Sequence, residues 1–445
     1  MTIEKVVNNG YCIGCGSCSI ASGENTIQFD NVIYQAKLFG DQSIATRVCP
    51  FSDDALDETS LASKFFDLNY DDKIGYYDQL LALRVKDPKV ALNSSSGGGI
   101  TWLLSKLFTL DKIDAVINVS LTDNGDYQYS VCNTKDELDK TTKSKYYPVT
   151  LDSIKDIIKN NSHKRFAITG VPCFIKAVSL LEENKVVSKF EYKIALFCGH
   201  YKSKSFSEFF AWQAGVPASN LAQVDFRVKN PKNPANQYFF EAKDKSGNRE
   251  LVKVANLYGS SWGYGFFKSK ACEYCDDICG ELADITFGDA WLDKYTKNPL
   301  GTNIVVSRNK ELTDLILSSN ELFVEKETIE NVFLTQAGNY RHRRGGAITR
   351  KRLFSQQWTP KIREALCDEF YDETKTDLFK ARFELLLKSQ SYFILAKKLN
   401  SLLFFKCMMS IPLFKYIIIH MGIRRGVVYT IKSLVKEFIF LFKKR

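Results

Sequence analysis

The stretch "YCIGCGSCSI", Tyr11 to Ile20, sets Cys12, Cys15 and Cys18 at a constant spacing of three, and a fourth thiol, Cys49, stands directly before Pro50 in "RVCPF". A segment that delivers three sulfurs to one centre in so few residues must be a tight loop. Gly14 and Gly16 supply the backbone freedom such a loop needs. Three thiolates in series plus a distant Cys-Pro wrap an iron–sulfur cube, whereas structural zinc sites more often use two separated C-x-x-C pairs. Where two-cluster ferredoxins carry the cysteine that ligates the other cluster, this chain has Ser22, so the pattern predicts one [4Fe–4S] cluster here.

The opening "MTIEKVVNNGYC" lacks a basic n-region followed by an apolar run, so the expectation is a reducing cytoplasm, where twelve cysteines point to ligation rather than disulfides. The net charge of +10 lies entirely at one end: residues 392–445 hold eleven Lys or Arg and one acidic residue, Glu437. Residues 1–391 therefore balance to zero, which argues against nucleic acid and for a membrane surface or an acidic partner at the tail.

Residues 1–70 read as a small cysteine-led unit. Over 75–310, strand-like runs such as "DAVINVSL", "KRFAITGVPC" and "YKIALFCGH" alternate with helical patterns such as "LDSIKDIIKN" and "FIKAVSLLEEN", which predicts an α/β body. Residues 311–391 read as a charged helical extension and 392–445 as a basic amphipathic tail. There Val427, Val428, Ile431, Leu434, Val435, Phe438 and Phe442 recur at helical spacing, with Lys432 and Lys436 off the stripe. The longest uncharged run, Cys407 to Phe414, is too short to span a bilayer, so the tail reads as a helix lying in a membrane surface or docked on protein.

A second cysteine set lies in "TGVPCF" (Cys173), "LFCGH" (Cys198) and "ACEYCDDICGELADITFGDAW" (Cys272, Cys275, Cys279). Together with "SGGGITWLL" and "KSKYYPVTLDSIKDII", these segments resemble, in order, the family of coenzyme F420 hydrogenase/dehydrogenase beta subunits, itself similar to plant hydroxymethyl-chlorophyll reductases. The resemblance covers residues 75–310, and a ferredoxin-type unit in front is a common fusion there. It implies an FAD-containing iron–sulfur oxidoreductase in which Cys173, Cys198, Cys272 and Cys275 ligate a second [4Fe–4S] cluster. Cys279 is then a spare thiol, or a replacement for Cys275 if the loop shifts.

"NSSSGGGITWLL" is either a linker or, because it runs into an apolar helical pattern, a helix N-terminus at which Ser96, Gly97, Gly98 and Gly99 cradle the FAD diphosphate or part of the substrate. "KSKYY" resembles the family's Gly-Thr-Lys-Tyr segment, with Lys143 in place of the glycine, which implies flavin-side or catalytic roles for Lys145 and Tyr146. Asp284, Gly288, Asp289 and Asn303 are further candidates for cofactor contact. His200, two residues beyond Cys198, is a candidate proton donor or a structural hydrogen-bonder. The resulting expectation is a path from a ferredoxin-like donor through two clusters to FAD and on to a small-molecule or sugar-linked substrate. The setting is cytoplasmic or peripheral at the inner membrane face, with surface-polysaccharide biosynthesis as a candidate context, and a non-catalytic electron relay between partner proteins is the alternative.

Overall fold

A computed structural model of the chain describes residues 1–160 and 163–432. An eight-stranded mixed sheet organises it. From edge to edge its strands are Leu322–Lys326, Gln79–Val85, Asn303–Ser307, Ile285–Asp289, Tyr192–Leu196, Phe166–Gly170, Ala115–Leu121 and Tyr127–Cys132. Ile285–Asp289, Tyr192–Leu196, Phe166–Gly170 and Ala115–Leu121 run parallel, and their neighbours on either side are antiparallel. The α/β class is the one the alternating pattern predicts.

Central strands such as Phe166–Gly170 and Asn303–Ser307 are buried at every position, which is why they read as continuous apolar runs rather than alternating ones. Successive side chains divide between two layers. Val116 and Ala167 face Leu103, Leu104 and Leu107 of the helix Gly99–Thr109, while Ile117 and Ile168 face Phe174, Ile175 and Val178 of the helix Pro172–Glu183.

The second layer extends well beyond the sheet. Ile3, Val6 and Ile13 from the first residues, and Phe393, Phe405 and Met409 from the last helices, belong to the same apolar core. The N-terminal unit is tied down by polar contacts too: Leu151 N donates to Cys15 O at 2.9 Å, and Lys204 N to Val32 O at 2.9 Å.

The extension after residue 310 is not wholly helical. Leu322–Lys326, "LFVEK", pairs antiparallel with Gln79–Val85 as an edge strand. Only Leu322 is buried in it, so its apolar signal is weak. Helices Ile329–Tyr340, Gly346–Leu353, Thr376–Lys398 and Leu402–Met421 follow, the first two joined by a π-turn, Arg341–Gly345.

Leu402–Met421 is the one described helix long and apolar enough to cross a membrane, and a third of its most apolar window is buried against the protein. Counting uncharged residues alone understates it, because Lys406 and Lys415 interrupt an otherwise apolar sequence. Phe405 packs on Phe209 with ring centroids 4.7 Å apart, while Ile411 is 77% exposed. Residues 423–432 are helical, with Val427, Val428 and Ile431 exposed. Leu434, Val435, Lys436, Phe438 and Phe442 lie outside the described residues.

Candidate functional site

The first cysteine set sits in a loop that only glycine permits. Gly14 and Gly16 adopt φ of +65° and +92°, and a Cβ on Gly14 would lie 2.2 Å from Tyr34 Cβ. Cys18 opens into the helix Ser17–Ser22, and Cys49 terminates the helix Ser43–Val48. The four thiols line one cleft, with about 340 Å³ of space between atoms and with Ile3, Val6, Ile27 and Phe51 among its walls.

Two backbone N–H groups, of Gly14 and Ala36, each approach Cys12 Sγ at 3.4 Å, and Ser17 Oγ lies 3.3 Å from Cys15 Sγ. Such donors favour the thiolate. Burial opposes it, pushing the Cys12 thiol up to about 11 and those of Cys18 and Cys49 further still, and each of these thiols is raised in addition by the charge of others in the set. A thiolate set of this kind stands only against a cation, which deprotonates its ligands outright. Among the described residues no three His, Cys, Asp or Glu side chains close on one point as a single ion with roughly 2.3 Å metal–sulfur bonds requires. The donor chemistry of four convergent thiols fits an iron–sulfur cube.

The second set gathers at the carboxyl ends of the parallel strands, where α/β sheets build their sites. Cys173 lies in the first turn of Pro172–Glu183, just after Phe166–Gly170, and Cys198 follows Tyr192–Leu196. Cys272 and Cys275 flank the end of the short turn Lys270–Tyr274. Beyond burial, the Cys173 thiol is raised by the charge of Cys275, Cys198 and Cys272, so the structure brings these three within electrostatic reach of Cys173. Burial pushes Cys198 and Cys275 up to about 12. Tyr201 N donates to Cys272 Sγ at 3.2 Å, and Arg343 Nη2 to Cys275 Sγ at 2.6 Å.

Cys279 stands apart. Its Sγ is 2.8 Å from Tyr340 Oη in a separate core layer. The two quartets, by contrast, adjoin: the charge of Cys15 reaches Cys173, and Tyr129 and Tyr201 each lie beside both. A second cleft runs from Pro50 and Phe51 to Cys173 and Cys275, past Lys176 and Arg363.

The Ser-Gly segment occupies the same sheet edge. A Cβ on Gly97 would lie 2.5 Å from Leu83 O, and one on Gly99 2.6 Å from Leu83 Cδ1. Close packing on the protein's own strand thus requires these two glycines. Gly99 N donates to Asn303 Oδ1 at 3.0 Å, and Asn303 Nδ2 to Gly288 O at 3.1 Å, so Asn303 pins the helix start to the sheet. Ser96 Oγ donates to Thr302 O at 2.9 Å, and Ser144 N to Ser95 Oγ at 2.8 Å, joining this segment to the one carrying Lys145.

Asp289 holds Arg227 bidentately at 2.9 and 3.0 Å, with the guanidinium 4.3 Å from the ring centre of Tyr238 and 5.1 Å from that of Trp291. Lys229 Nζ donates to Ala91 O, Ser96 O and Leu300 O at 2.5 to 2.7 Å. Neither Arg227 nor Lys229 is legible in "FRVKN", which alone reads as an exposed basic strand end. Burial pulls Lys229 and Lys145 down to about 7, and Lys145 Nζ donates to Thr141 O and Thr142 O.

Burial pushes the Tyr146 hydroxyl up to about 12. The Tyr146 ring lies edge-on to Trp262 at 5.1 Å, and His200 meets the same indole at 4.4 Å. The structure therefore brings His200 to the Lys145–Tyr146 segment, but as a neutral ring. Both of its nitrogens are buried without a hydrogen-bond partner among the described residues, and burial together with Lys202, Lys268, Arg382 and Arg343 holds its pKa well below the usual range. Asp284 is remote in role, accepting from Lys193 N at 2.8 Å at the opposite strand end.

Comparison with known proteins places this geometry. The model for the N-terminal part of the beta subunits of coenzyme F420 hydrogenase/dehydrogenase matches residues 80–155, and the model for their C-terminal part matches residues 163–331. The chain is 24% identical over 308 residues to a coenzyme F420-dependent sulfite reductase of Methanocaldococcus jannaschii, covering 64% of this chain and 43% of that protein, so it spans less than half that relative's length. It is 21% identical over 322 residues to one of the subunits of the F(420)H(2) dehydrogenase of Methanosarcina mazei, covering 67% of this chain and 82% of that one. A chain of the F420-reducing [NiFe] hydrogenase complex from Methanosarcina barkeri shares the fold with a TM-score of 0.50 at 17% identity, over 67% of this chain and 99% of its own. The two family models together match more than half of the sequence, and the chain belongs to the family of coenzyme F420 hydrogenase/dehydrogenase beta subunits, a family of oxidoreductases.

Proposed function

We propose that the chain is an iron–sulfur flavoprotein that carries electrons from a ferredoxin-like donor to a substrate. Cys12, Cys15, Cys18 and Cys49 hold one [4Fe–4S] cluster, and Cys173, Cys198, Cys272 and Cys275 hold a second. The observation that carries this reading is the gathering of eight thiols from distant parts of the sequence into two adjoining sets. Bound clusters supply one-electron steps and FAD one- or two-electron steps, so the pair of cofactor types bridges a one-electron donor and a two-electron substrate.

The protein's own residues divide the remaining work. Apolar walls around the first set exclude water, and N–H donors to the sulfurs steady the thiolates. On the flavin side, Ser96 and Gly98 open the helix Gly99–Thr109 at the end of the sheet, where its N-terminus suits a diphosphate, and Lys143, Arg227 and Lys229 brace this end through Asp225, Asp289 and the Ser96 carbonyl. Lys145, drawn down to about 7 by burial, is the group poised to give or take a proton near neutrality. His200, held neutral, serves as a packing wall beside Trp262.

The substrate is a small molecule or a sugar on a membrane lipid, the latter favoured by the apolar helix Leu402–Met421 with its exposed Leu403 and Ile411 and by the basic tail. Surface-polysaccharide assembly at the inner face of the cytoplasmic membrane is the setting this suggests. A second reading, an electron relay without chemistry of its own, draws on the relatives that are subunits of larger enzymes.

Anaerobic purification followed by iron, sulfide and flavin analysis tests the proposal. About eight iron and one flavin per chain are expected. Zinc without iron overturns both redox readings. Turnover of a small molecule by the isolated chain with an artificial reductant separates the enzyme from the relay.

A further inference from the structure

Arg343 lies beyond the family-matched segments, which end at residue 331, yet its guanidinium reaches the second cysteine set. It sits in the π-turn Arg341–Gly345, a wider turn of the kind that recurs at functional sites. That turn also needs Gly345, where a Cβ would lie 2.0 Å from Phe370 O. The Arg343 side chain is buried, and four of its five N–H donors are used. Nε donates to Cys275 O at 2.9 Å, Nη1 to Cys198 O, and Nη2 to Asp277 O at 2.7 Å and to Cys275 Sγ at 2.6 Å.

Two facts set this arginine apart from its neighbours. Arg344 and Arg350 pair with Glu281 and Glu273, whereas among the described residues no carboxylate lies within ion-pair distance of Arg343. Among the described residues the one side-chain atom it bonds is the sulfur of Cys275. A buried guanidinium left against neutral carbonyls alone would be costly, so the geometry calls for negative charge on Cys275. The same side chain also ties Cys198, from a strand end, to Cys275, from the 272–275 loop, and so sets their separation.

We infer that Arg343 is a positioning residue of the second cluster, one that holds Cys198 and Cys275 in register and raises the cluster's reduction potential. The physical reason is charge. A cluster that takes up one electron gains one negative charge, and a buried cation donating an N–H···S bond stabilises the reduced form more than the oxidised one. The inference rests on the proposed assignment of Cys173, Cys198, Cys272 and Cys275, and extends it to the control of electron flow between the two centres.

The test is a dithionite titration of the anaerobically purified full-length chain, followed by electron paramagnetic resonance, with iron and sulfide measured on the same samples. Arg343→Gln keeps hydrogen-bonding capacity and removes the charge. The expected result is near-normal iron, one centre unchanged, and the other harder to reduce by about tenfold in its equilibrium, or about 59 mV for a one-electron couple. Full iron with both midpoints unchanged overturns the inference.

If Arg343→Gln does not load, Arg343→Lys decides. It keeps the charge but has three donors for four partners. A smaller downward shift of the same centre, or loss of half the iron with the N-terminal signal intact, upholds the positioning role. A fully loaded Arg343→Lys with wild-type midpoints, or equal loss of both centres, overturns it. A wild-type chain with iron for only one cluster defeats the underlying assignment instead, so the two failures are distinguishable.

Discussion

His200 and Tyr146 stand against the same indole, their ring centres 4.4 and 5.1 Å from that of Trp262, so one aromatic side chain joins the loop after Cys198 to the segment that carries Lys145. The His200 ring contributes no described hydrogen bond and is held neutral by burial and by the cations around it. Below about pH 6.5 the unfolded chain protonates this imidazole and the folded chain does not, so stability falls as pH falls. Replacing it by an aromatic ring removes that dependence. Between pH 6.5 and 5, urea denaturation of the wild type should lose up to about 2 kcal/mol more than that of His200→Phe, because each unit is worth about 1.4 kcal/mol. Equal losses would show that His200 is protonated in the folded chain.

Lys145 offers a second pH-dependent signature. Its ammonium is pulled down to about 7 by burial, against about 10.4 in an unfolded chain. Between those values the unfolded state binds the extra proton, so this residue makes stability rise as pH rises from about 7 to about 10.4 and contributes a flat penalty below. In a ¹³C-methylated sample, the resonances of Lys145 and Lys229 should both titrate near neutrality, and the one lost in Lys145→Arg belongs to Lys145. A titration near 10 for every lysine would remove Lys145 as a proton donor.

The Arg227–Asp289 pair joins the strand Leu221–Val228, which forms a separate three-stranded antiparallel sheet with Phe239–Asp244 and Arg249–Lys253, to the end of the strand Ile285–Asp289. The Arg227 side chain is only 6% exposed and that of Asp289 24%, so removing the carboxylate strands a buried cation. Asp289→Ala should cost about 3 kcal/mol, and Arg227→Met combined with Asp289→Leu should cost clearly less, because the double change leaves no unpaired charge. A double variant as unstable as the sum of the singles would mean that the two residues act independently.

The first candidate ligand set is legible in the sequence because coordination would impose a spacing: Cys12, Cys15, Cys18 and the Cys-Pro pair at 49 follow a rule that a short window contains. Cys173 and Cys198 obey no local rule, since the sheet and not the chain brings their strand ends together, and they emerge only through a resemblance to other sequences. The arginines are invisible for a related reason. "RHRRGG" and "FRVKN" look like solvated charge, and burial of Arg343 and Arg227 depends on partners some seventy residues away (Cys275) and about sixty away (Asp289). The glycines mislead in the opposite direction: Gly97 and Gly99 suggest an open phosphate cradle, whereas contact with Leu83 already requires both. The strand Leu322–Lys326 passes for helix because five residues with one buried side chain leave too little pattern for either period.

Cys279 tests whether proximity in sequence or in space decides ligation. It lies four residues after Cys275, but its sulfur bonds to Tyr340 in another core layer. Cys279→Ala should keep the full iron content and cost about 1 to 2 kcal/mol for the lost packing and hydrogen bond. Loss of half the iron would instead make Cys279 a ligand in place of Cys275.

The two quartets are separable by substitution even though they adjoin. Cys15→Ala removes one corner of the N-terminal set and leaves the strand-end set whole, and Cys173→Ala does the reverse, so each should lower iron by about half. Because the charge of Cys15 reaches Cys173, removing one cluster also removes a neighbouring negative charge from the other. The surviving cluster should therefore be easier to reduce than in the wild type, by an amount that shrinks little with added salt, since both thiols are buried and screening acts weakly there. Unchanged iron in Cys173→Ala would show that the second set holds no cluster. Halved iron with an unshifted survivor would show that the two centres stand too far apart to feel each other, and electron passage between them would then need another intermediary.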